Sequence, residues 1–498
     1  MTFNYRTNGI LMHLTSLPSK YGIGTLGEES YKFVDFLRSA NVRIWQLLPL
    51  NVTSYGDSPY QSFSTNGLNY YFIDLDELVK KGLLTQDDLD GSGLNNCNPR
   101  KVDYEKQYNV RLPLLRKAFS NFNIKDKKFI KFVEEGKYSD FAFYMTLKNL
   151  NGGKCWLDFS EKYKTYSYEL EKEVINENFN DYLFYYWTQY EFLNQYLKLK
   201  EYANELGIKI MGDMAIYVAL DSVDCYKHPE LFAFNENNTP KLVAGCPPDA
   251  FAVNGQLWGN PIYNYENMKK DNYRWFHNRI LASLEIYDIL RIDHFRGFAG
   301  YYTIEYGSVD ARDGKWVKGP GFELFNGYTN LPIVAEDLGF LDDDVKNLLK
   351  QTNYPGMKIL EFAYEGDVEA KATNPNKNYI TYTGTHDNMP IYGYLTTLSE
   401  DKLNAYLAEV KNDCEQLGVN FDSTSLKTAA KSIVELAYAS NQICAILPLQ
   451  DLLLMDNSAR MNEPSTLSDK NWTFRFTNED FNTDIVNFIK ENNKKYKR

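Results

Sequence analysis

The chain has 498 residues, of which 44% are hydrophobic and 24% are charged, and these fractions exclude a disordered or fibrous protein. Its 54 basic and 66 acidic side chains leave a net charge of -12, which repels nucleic acid and anionic lipid surfaces. The sequence therefore predicts a large globular protein whose partners include no nucleic acid and no membrane.

Short apolar runs of β type alternate with stretches of helical periodicity, a pattern typical of strands and helices around a parallel sheet. The first runs, 9–14 and 42–50, flank an amphipathic segment at 28–40. A long interval from about 56 to 200 interrupts the alternation and holds Tyr- and Phe-rich helical segments. The later apolar runs are 208–214, 286–292, 333–336, 357–362, 379–385 and 443–449, and the later helical candidates are 342–350, 399–417 and 426–439.

These runs number about eight, which is the strand count that closes a barrel. We therefore predict an α/β fold, a (β/α)8 TIM barrel with inserted, largely helical subdomains. The whole chain, 1–498, is assigned to a single barrel domain. Inserted subdomains are expected at approximately 56–200 and 225–275, with a helical insertion at approximately 395–440. An open doubly wound sheet is the alternative fold.

The cysteines and the N-terminal segment bear on the cellular compartment. The six cysteines are scattered and form no CxxC pair, so neither a disulfide framework nor a zinc module is indicated. The segment MTFNYRTNGILMHLTSLP lacks the basic and apolar regions of a signal peptide. We expect a cytoplasmic protein.

Several predicted strands end in carboxylates: Asp213, Asp293, Glu336 with Asp337, and Asp387. The carboxyl ends of barrel strands form one mouth, so acids far apart in the sequence converge there. Such a cluster suits either a divalent metal ion, which takes several oxygen ligands, or glycoside chemistry, which needs a nucleophile and a proton donor.

The pattern LRID favours the second alternative. Arg291 and Asp293 lie two residues apart on a strand and share a face. The guanidinium would hold the carboxylate ionised by lowering its pKa, and its charge would compete with a metal ion for the same oxygens. For each acid taken singly, a structural role as a cap or buried ion pair is the alternative.

Seven segments, in chain order, resemble those of a known family: GDSPYQSFSTNGLN, GDMAIYV, PPDAFAVNGQLWGNPIY, LRIDHFRGF, GPGFELF, AEDLG and YTGTHDN. The chain is similar to the amylomaltases, the bacterial 4-α-glucanotransferases (disproportionating enzymes) of glycoside hydrolase family 77. The resemblance extends from the N-terminal strand to about Arg475.

The resemblance implies roles for the three principal acids. Asp293 resembles the nucleophile that forms a covalent glucosyl-enzyme, and Glu336 the acid/base, which is expected to be protonated at rest with a pKa raised by neighbouring anions. Arg291 is expected to keep the pKa of Asp293 low. Asp387 resembles the third carboxylate, which grips the 2- and 3-hydroxyls of the sugar beside the scissile bond.

The resemblance also implies a set of substrate contacts. Tyr60 resembles the ring under the donor sugar, and His294 and His386 resemble hydrogen-bond donors to sugar hydroxyls. The loop PPDAFAVNGQLWGNP resembles a flexible cover over the acceptor side. The remaining implied substrate-binding residues are Ser58, Asp213, Arg291, Asn388 and Asn462, together with Asp249, Gln256 and Trp258 in that loop.

Two positions depart from the family pattern in loops near the expected groove. Ala215 stands where the family usually has Pro, and Ser465 stands where it usually has Gly. A serine adopts a positive φ less freely than glycine. The shape of the loop around Ser465 is therefore expected to differ in detail.

The expected activity is transfer of a segment of an α-1,4-glucan to the 4-hydroxyl of an acceptor glucan or glucose, with retention and without a metal or organic cofactor. The expected partners are malto-oligosaccharides, amylose or glycogen-derived glucans. If water intercepts the intermediate, the same residues make a retaining hydrolase, which is the first alternative. The others are a catalytically silent glucan-binding barrel and a metal-dependent sugar isomerase. The oligomeric state leaves no trace in the sequence.

Overall fold

The computed structural model describes residues 2–248, 252–339 and 341–498. Its strands are short, and six of those in the described residues are buried along their whole length, as expected of a parallel sheet covered by helices. In chain order they are β1 Thr7–Leu11, β2 Ile44–Gln46, β3 Lys209–Met214, β4 Leu242–Cys246, β5 Gln256–Pro261, β6 Ile289–Ile292, β7 Gly300–Glu305, β8 Lys315–Lys318, β9 Ile333–Ala335, β10 Gly356–Ile359, β11 Tyr379–Tyr382 and β12 Cys444–Pro448.

Eight of the strands in the described residues form one parallel sheet, in the order β10-β11-β12-β1-β2-β3-β6-β9. The chain visits neighbouring strands in turn, and each of the eight predicted apolar runs overlaps one of them. The two outer strands, β9 and β10, meet where the Ala335 N–H donates to the Pro355 carbonyl at 2.8 Å. The predicted (β/α)8 barrel is confirmed, and the open doubly wound sheet does not form.

The seam between β9 and β10 is held by a buried carboxylate. Asp337 Oδ1 accepts the backbone N–H of Met357 at 2.7 Å, and Lys358 Nζ lies 3.8 Å from Asp337 Oδ2. Asp337, one of the predicted strand-end acids, therefore stabilises the closure of the barrel.

The helices follow local sequence signals. In the first helix, Glu28 and Glu29 lie in the first turn and Arg38 in the last, as the helix dipole favours. The helices are α1 Glu28–Ser39, α2 Leu75–Lys80, α3 Gln86–Asp90, α4 Tyr104–Lys106, α5 Leu112–Ser120, α6 Lys127–Glu134, α7 Ser139–Leu150, α8 Tyr168–Glu177, α9 Phe179–Glu205, α10 Val223–Lys227, α11 Tyr265–Lys269, α12 Arg274–Ile286, α13 Asp343–Thr352, α14 Leu360–Ala363, α15 Ile391–Leu395, α16 Glu400–Leu417, α17 Leu426–Ala439, α18 Leu449–Leu452 and α19 Thr483–Tyr496.

The connections between barrel strands differ in content. Helices α2 to α9 lie between β2 and β3, and α15 to α17 lie between β11 and β12. A second, antiparallel sheet has the order β5-β4-β7-β8 and is built from segments on both sides of β6. That the segments near 56–200, 225–275 and 395–440 are separate subdomains stays a prediction. None of the helices in the described parts of the chain has the length and apolar character needed to cross a bilayer.

Strand β3 passes close beneath an aromatic ring. A Cβ atom added at Gly212 would lie 2.1 Å from Cγ of the buried Tyr287. The hydroxyl of the same ring accepts the N–H of Leu50, in the segment that follows β2, at 3.3 Å. Tyr287 thus links two neighbouring strand ends, and only glycine leaves room for it.

We expect Gly212→Ala to lower the free energy of unfolding by about 1–3 kcal/mol, the usual cost of overpacking a core. Gly300→Ala in β7 is the matched control, because its added methyl group would meet no atom nearer than 3.6 Å. The midpoints of thermal unfolding, followed by circular dichroism, compare the two. Equal midpoints would contradict the proposed fit of Tyr287 over β3.

Candidate active site

Four of the predicted acids lie at one mouth of the barrel. Asp213 is the last residue but one of β3, Asp293 directly follows β6, and Glu336 directly follows β9. Asp387 lies in the loop after β11. Because these strands are parallel, their carboxyl ends face the same side of the barrel.

Arg291 connects two of these acids. Its Nη1 donates to Asp213 Oδ2 at 2.6 Å, and its Nη2 lies 2.9 Å from Asp293 Oδ1. Asp213 Oδ2 also accepts the hydroxyl of Tyr60 at 2.7 Å. The pairing follows from the sheet register, in which Asp213 on β3 lies directly opposite Arg291 on β6. The expected contact between Arg291 and Asp293 is therefore present, within a larger buried network.

Asp293 and Glu336 influence each other's titration. Burial is the largest cause and raises the pKa of both carboxyls, while Arg291 lowers the pKa of both. The raised pKa of Glu336 matches the expectation of a proton at rest, although burial contributes more than neighbouring anions. The expected low pKa of Asp293 is not found, because burial outweighs the guanidinium. The direct ion pair with Arg291 and the 28% exposure of the Asp293 side chain favour the charge on Asp293 and the proton on Glu336.

Glu336 is oriented by the backbone on both sides. Its Oε2 accepts the N–H of His294 at 2.6 Å, and its Oε1 accepts the N–H of Leu338 at 2.7 Å. His294 has a left-handed backbone, with φ of 48°. Each carboxyl oxygen keeps a second lone pair, so Glu336 can still carry and release a proton in this position.

Asp387 is held by residues of the segment between α18 and α19. Asn462 Nδ2 donates to Asp387 Oδ1 at 2.7 Å, and Arg460 Nη2 donates to the Asp387 carbonyl at 2.8 Å. His386 Nε2 lies 3.4 Å from Asp387 Oδ1. The carboxylate is 43% exposed, so it is fixed in place and still accessible to a ligand.

Three aromatic rings pack together beside these acids. The rings of Tyr60 and His386 are stacked with centroids 5.2 Å apart, and Trp472 lies 5.9 Å from Tyr60. Burial lowers the pKa of His386, so its imidazole is neutral at physiological pH. Together the rings form an aromatic wall next to Asp213, in which the ring of Trp472 is tilted against the other two.

The predicted acceptor-side residues form a second group. Trp258 Nε1 donates to Gln256 Oε1 at 3.0 Å, and the Trp258 ring meets the His294 ring edge-on at 4.9 Å. Burial lowers the pKa of His294 to about 3, and its Nε2 has no hydrogen-bond partner among the described residues. A neutral imidazole with a spare nitrogen suits a ligand hydroxyl. The predicted contact Asp249 lies outside the described residues.

Two of the predicted substrate-binding residues, Ser58 and Asn388, form hydrogen bonds within their own loops. The Ser58 hydroxyl accepts the N–H of Tyr60 at 3.2 Å. Asn388 Oδ1 accepts the backbone N–H and the hydroxyl of Thr385 at 2.9 and 3.0 Å. Both side chains therefore shape the turns that carry Tyr60 and Asp387, and no ligand contact is needed to explain them.

Glu361 is a buried acid that the sequence prediction missed. Its Oε1 accepts from Asn388 Nδ2 at 3.0 Å, and its Oε2 has no partner among the described residues. It lies at the end of the predicted run 357–362, so the rule that selected the other strand-end acids also applied to it. Arg460, also missed, carries no comparable signal in the sequence.

Both departures from the family pattern lie in described parts of the chain. Ser465 adopts a φ of 62°, a conformation that glycine takes at lower cost. The carbonyl of Ala215 accepts a hydrogen bond from Arg279 Nη2 at 2.6 Å.

Among the described residues, no group of three or more His, Cys, Asp or Glu side chains is arranged to hold a metal ion.

The titration of Glu361 predicts a pH dependence of stability. Burial raises the pKa of Glu361 to about 8, with Asp451 and Glu365 adding to the rise and Asn388 and Arg460 opposing it. Between the ordinary pKa of a glutamate and about 8, the folded protein keeps a proton that the unfolded chain releases. The contribution of Glu361 to stability therefore falls as the pH rises through this range.

We expect Glu361→Gln to raise the free energy of unfolding relative to the wild type by on the order of 2 kcal/mol at pH 8, and by much less at pH 5. Thermal unfolding midpoints at intervals from pH 5 to pH 8 test this. Glu236→Gln, at an exposed loop position, is the control and should leave the pH profile unchanged. Parallel profiles for wild type and Glu361→Gln would show that Glu361 is ionised in the folded protein.

Known proteins share this fold and sequence over almost the whole chain. The family model for 4-alpha-glucanotransferase, glycoside hydrolase family 77, matches residues 12–480. A 4-alpha-glucanotransferase of Streptococcus pneumoniae is 44% identical over 488 residues, covering 95% of this chain and 94% of the relative. One of Clostridium butyricum is 41% identical over 497 residues, covering 96% and 98%.

A solved structure agrees with these sequence matches. The amylomaltase from Streptococcus agalactiae, in complex with acarbose, has a TM-score of 0.91 and 38% identity, with 99% of both chains covered. These matches favour the transferase interpretation over the hydrolase alternative. The chain belongs to glycoside hydrolase family 77, the 4-α-glucanotransferases.

Proposed function

We propose that this 4-α-glucanotransferase uses Asp293 as nucleophile, Glu336 as acid/base and Asp387 as the carboxylate that grips the donor sugar. The observation that carries this assignment is the placement of an Arg291-paired carboxylate, Asp293, at the same barrel mouth as Glu336 and Asp387. Retaining glycoside chemistry requires two carboxyl groups at one site, one that acts as the nucleophile and one that acts as the acid/base.

In the first step, an oxygen of ionised Asp293 attacks the anomeric carbon of the donor glucan. The glycosidic bond breaks, and its oxygen leaves with the proton of Glu336, so that a covalent glycosyl-enzyme and a shortened glucan result. The contact with Arg291 supports this role, because it keeps an oxygen of Asp293 charged and fixed. The burial of Glu336 supports its role as the acid.

In the second step, the 4-hydroxyl of an acceptor glucan or glucose gives its proton to Glu336 and attacks the same carbon. The bond to Asp293 breaks, and an α-linked product forms with net retention. Water in place of the acceptor would give hydrolysis. Trp258 and His294, which pack together beside Glu336, are proposed to favour a sugar acceptor by binding it.

Donor binding is assigned to the aromatic wall and to Asp387. In the wall of Tyr60, His386 and Trp472, the partly exposed ring of Tyr60 provides an apolar surface for a sugar ring, and the two buried rings support it. Asp387, beside that wall, is placed to accept hydrogen bonds from two sugar hydroxyls. The proposed substrates are malto-oligosaccharides and longer α-1,4-glucans.

The proposed location of the protein is the cytoplasm. This proposal rests on the free, buried thiols of Cys225, Cys414 and Cys444, because free thiols are typical of reducing compartments.

Purified protein incubated with maltotriose and EDTA should produce glucose together with maltopentaose and longer chains, at a constant number of reducing ends. Asp293→Asn and Glu336→Gln should each lower the rate by about 10³-fold or more, because each removes a reacting group. Chromatography of the products and a reducing-end assay measure both quantities.

Asp401→Asn, at an exposed position in α16, is the matched control and should keep full activity. Rising reducing ends without longer products would identify a hydrolase. Full activity in Asp293→Asn would rule out Asp293 as the nucleophile.

A second prediction concerns the orientation of Asp387. Asn462→Ala removes the donor to Asp387 Oδ1 and should lower kcat by about 10- to 100-fold with little change in KM, since misplacing a group affects the transition state most. The near-isosteric Asn462→Asp replaces the donor with a repelling charge and should be at least as impaired. Wild-type kcat in Asn462→Asp would show that Asp387 does not need this hydrogen bond.

A further inference from the structure

An asparagine on the proposed acceptor strand joins three parts of the barrel mouth. Asn260 lies on β5, two residues after Trp258, and is only 5% exposed. Its Nδ2 donates to the Val218 carbonyl at 2.7 Å, in the segment that follows β3. Its Oδ1 accepts from Gln61 Nε2 at 3.1 Å. The amide therefore bridges one strand of the antiparallel sheet to the segments that follow β2 and β3 of the barrel.

A bulge in β5 separates Trp258 from Asn260. The pairing of β5 with β4 is irregular between Val243 and Gly245, and Gly259 adopts a φ of 76°. Glycine takes this conformation at low cost, and a bulge re-aims the side chains beside it. The same short strand thus presents Trp258 on the proposed acceptor side and turns Asn260 into the buried interior of the mouth.

The contact with Gln61 reaches the turn that carries Tyr60. The Gln61 N–H donates to the Ser58 carbonyl at 3.1 Å, which closes a turn with Pro59 and Tyr60 at its centre. The Ser54 N–H donates to the Gln61 carbonyl at 2.9 Å and holds the turn from the other side. Because Gln61 ends this turn, its bond to β5 fixes the ring of the proposed donor wall relative to the acceptor strand.

The contact with Val218 reaches the segment that follows Asp213. Two buried side chains hold this segment in place. The Tyr263 hydroxyl donates to the Ile216 carbonyl at 2.8 Å, and Arg279 Nη1 donates to the same carbonyl at 3.0 Å. Since other hydrogen bonds hold both ends of the bridge, Asn260 connects two ordered parts of the site.

We propose that Asn260 is a positioning residue that fixes β5, and with it Trp258, against the turn that carries Tyr60. This inference rests on the proposed function. In the second step the acceptor hydroxyl must approach the anomeric carbon bound to Asp293, and a misplacement of about 1 Å can cost on the order of 10²-fold in rate. Water needs no such alignment. Asn260 therefore sets the share of the glycosyl-enzyme that reacts with sugar rather than with water.

Asn260→Ala tests this alignment separately for the two steps. Fluoride release from α-maltotriosyl fluoride in the first turnover measures formation of the glycosyl-enzyme, because fluoride leaves without an acceptor. This rate should stay within about 2-fold of the wild type, since Tyr60 keeps its contacts with Ser58 and Asp213. With maltotriose as donor and isotopically labelled glucose as acceptor, the KM for glucose should rise and the ratio of transfer to hydrolysis should fall, each by about 5- to 20-fold.

An unchanged ratio of transfer to hydrolysis in Asn260→Ala would overturn the proposal. An equal fall in the rates of both steps would also overturn it, because general damage to the mouth gives that result. Asn267→Ala is the matched control, since Asn267 Nδ2 on α11 likewise donates to a backbone carbonyl, that of Glu230, at 2.9 Å. It should leave the ratio unchanged, and a similar fall would show that Asn260 has no specific role.

Gln61 supplies a second variant. Gln61→Glu is near-isosteric and replaces the donor to Asn260 Oδ1 with a repelling oxygen, so it should also lower the ratio of transfer to hydrolysis. The double variant Gln61→Ala, Asn260→Ala should be no worse than Asn260→Ala alone, because both changes remove the same contact. Fully additive effects would show that the two residues act independently and would overturn the bridge.

Trp258→Ala distinguishes this inference from the proposed function. A fall in the ratio of transfer to hydrolysis is expected in both Trp258→Ala and Asn260→Ala. A fall in Trp258→Ala alone would overturn the inference and leave the proposed function standing. A fall in Asn260→Ala alone would overturn the proposed role of Trp258 and leave the alignment by Asn260 standing. No fall in either variant would show that β5 does not bind the acceptor and would overturn both.

Discussion

The arrangement of the site depends on one buried cation, Arg291. A guanidinium with 3% exposure is costly to remove from water, and only well-placed anions offset that cost. Asp213 and Asp293 supply them, and Asp213 also accepts the hydroxyl of Tyr60. One charge therefore fixes the proposed nucleophile and the ring of the donor wall together. Removing either acid would leave a buried charge partly uncompensated, with consequences for folding as well as for chemistry.

Barrel geometry places the acid/base relative to that network. Glu336 and Asp337 are consecutive, so their side chains leave the chain in opposite directions, as alternation along an extended segment requires. Glu336 lies at the mouth, where it accepts two backbone N–H groups, while Asp337 bonds across the closing seam to Met357. The position of the proposed acid is thus tied to closure of the barrel, and a defect at the seam is expected to displace it.

Sequence patterns predicted the parts of this structure that local periodicity determines. All eight barrel strands were anticipated, α17 has the predicted bounds 426–439, and the strand-end rule identified the acids at the mouth. Contacts made through loops are harder to predict from the sequence, because they join residues far apart in the chain. Examples are Arg460 with Asp387 and Arg296 with Trp316. The prediction of a low pKa for Asp293 is wrong for a related reason. The sequence reveals the neighbouring arginine but not the depth of burial, which has the larger effect.

The two sides of the site are stabilised differently, and this suits a transferase. On the proposed donor side, Arg291 and Asn462 hold Asp213, Asp293 and Asp387 through ion pairs and hydrogen bonds. On the proposed acceptor side, Trp258 belongs to β5 of the antiparallel sheet and contacts the barrel through the ring of His294. In double displacement the donor sugar stays covalently bound while the leaving glucan departs and the acceptor enters. The proposed donor and acceptor sites meet these opposite requirements, because an acceptor surface built on a separate sheet can exchange ligands without disturbing the carboxylates that are proposed to hold the intermediate.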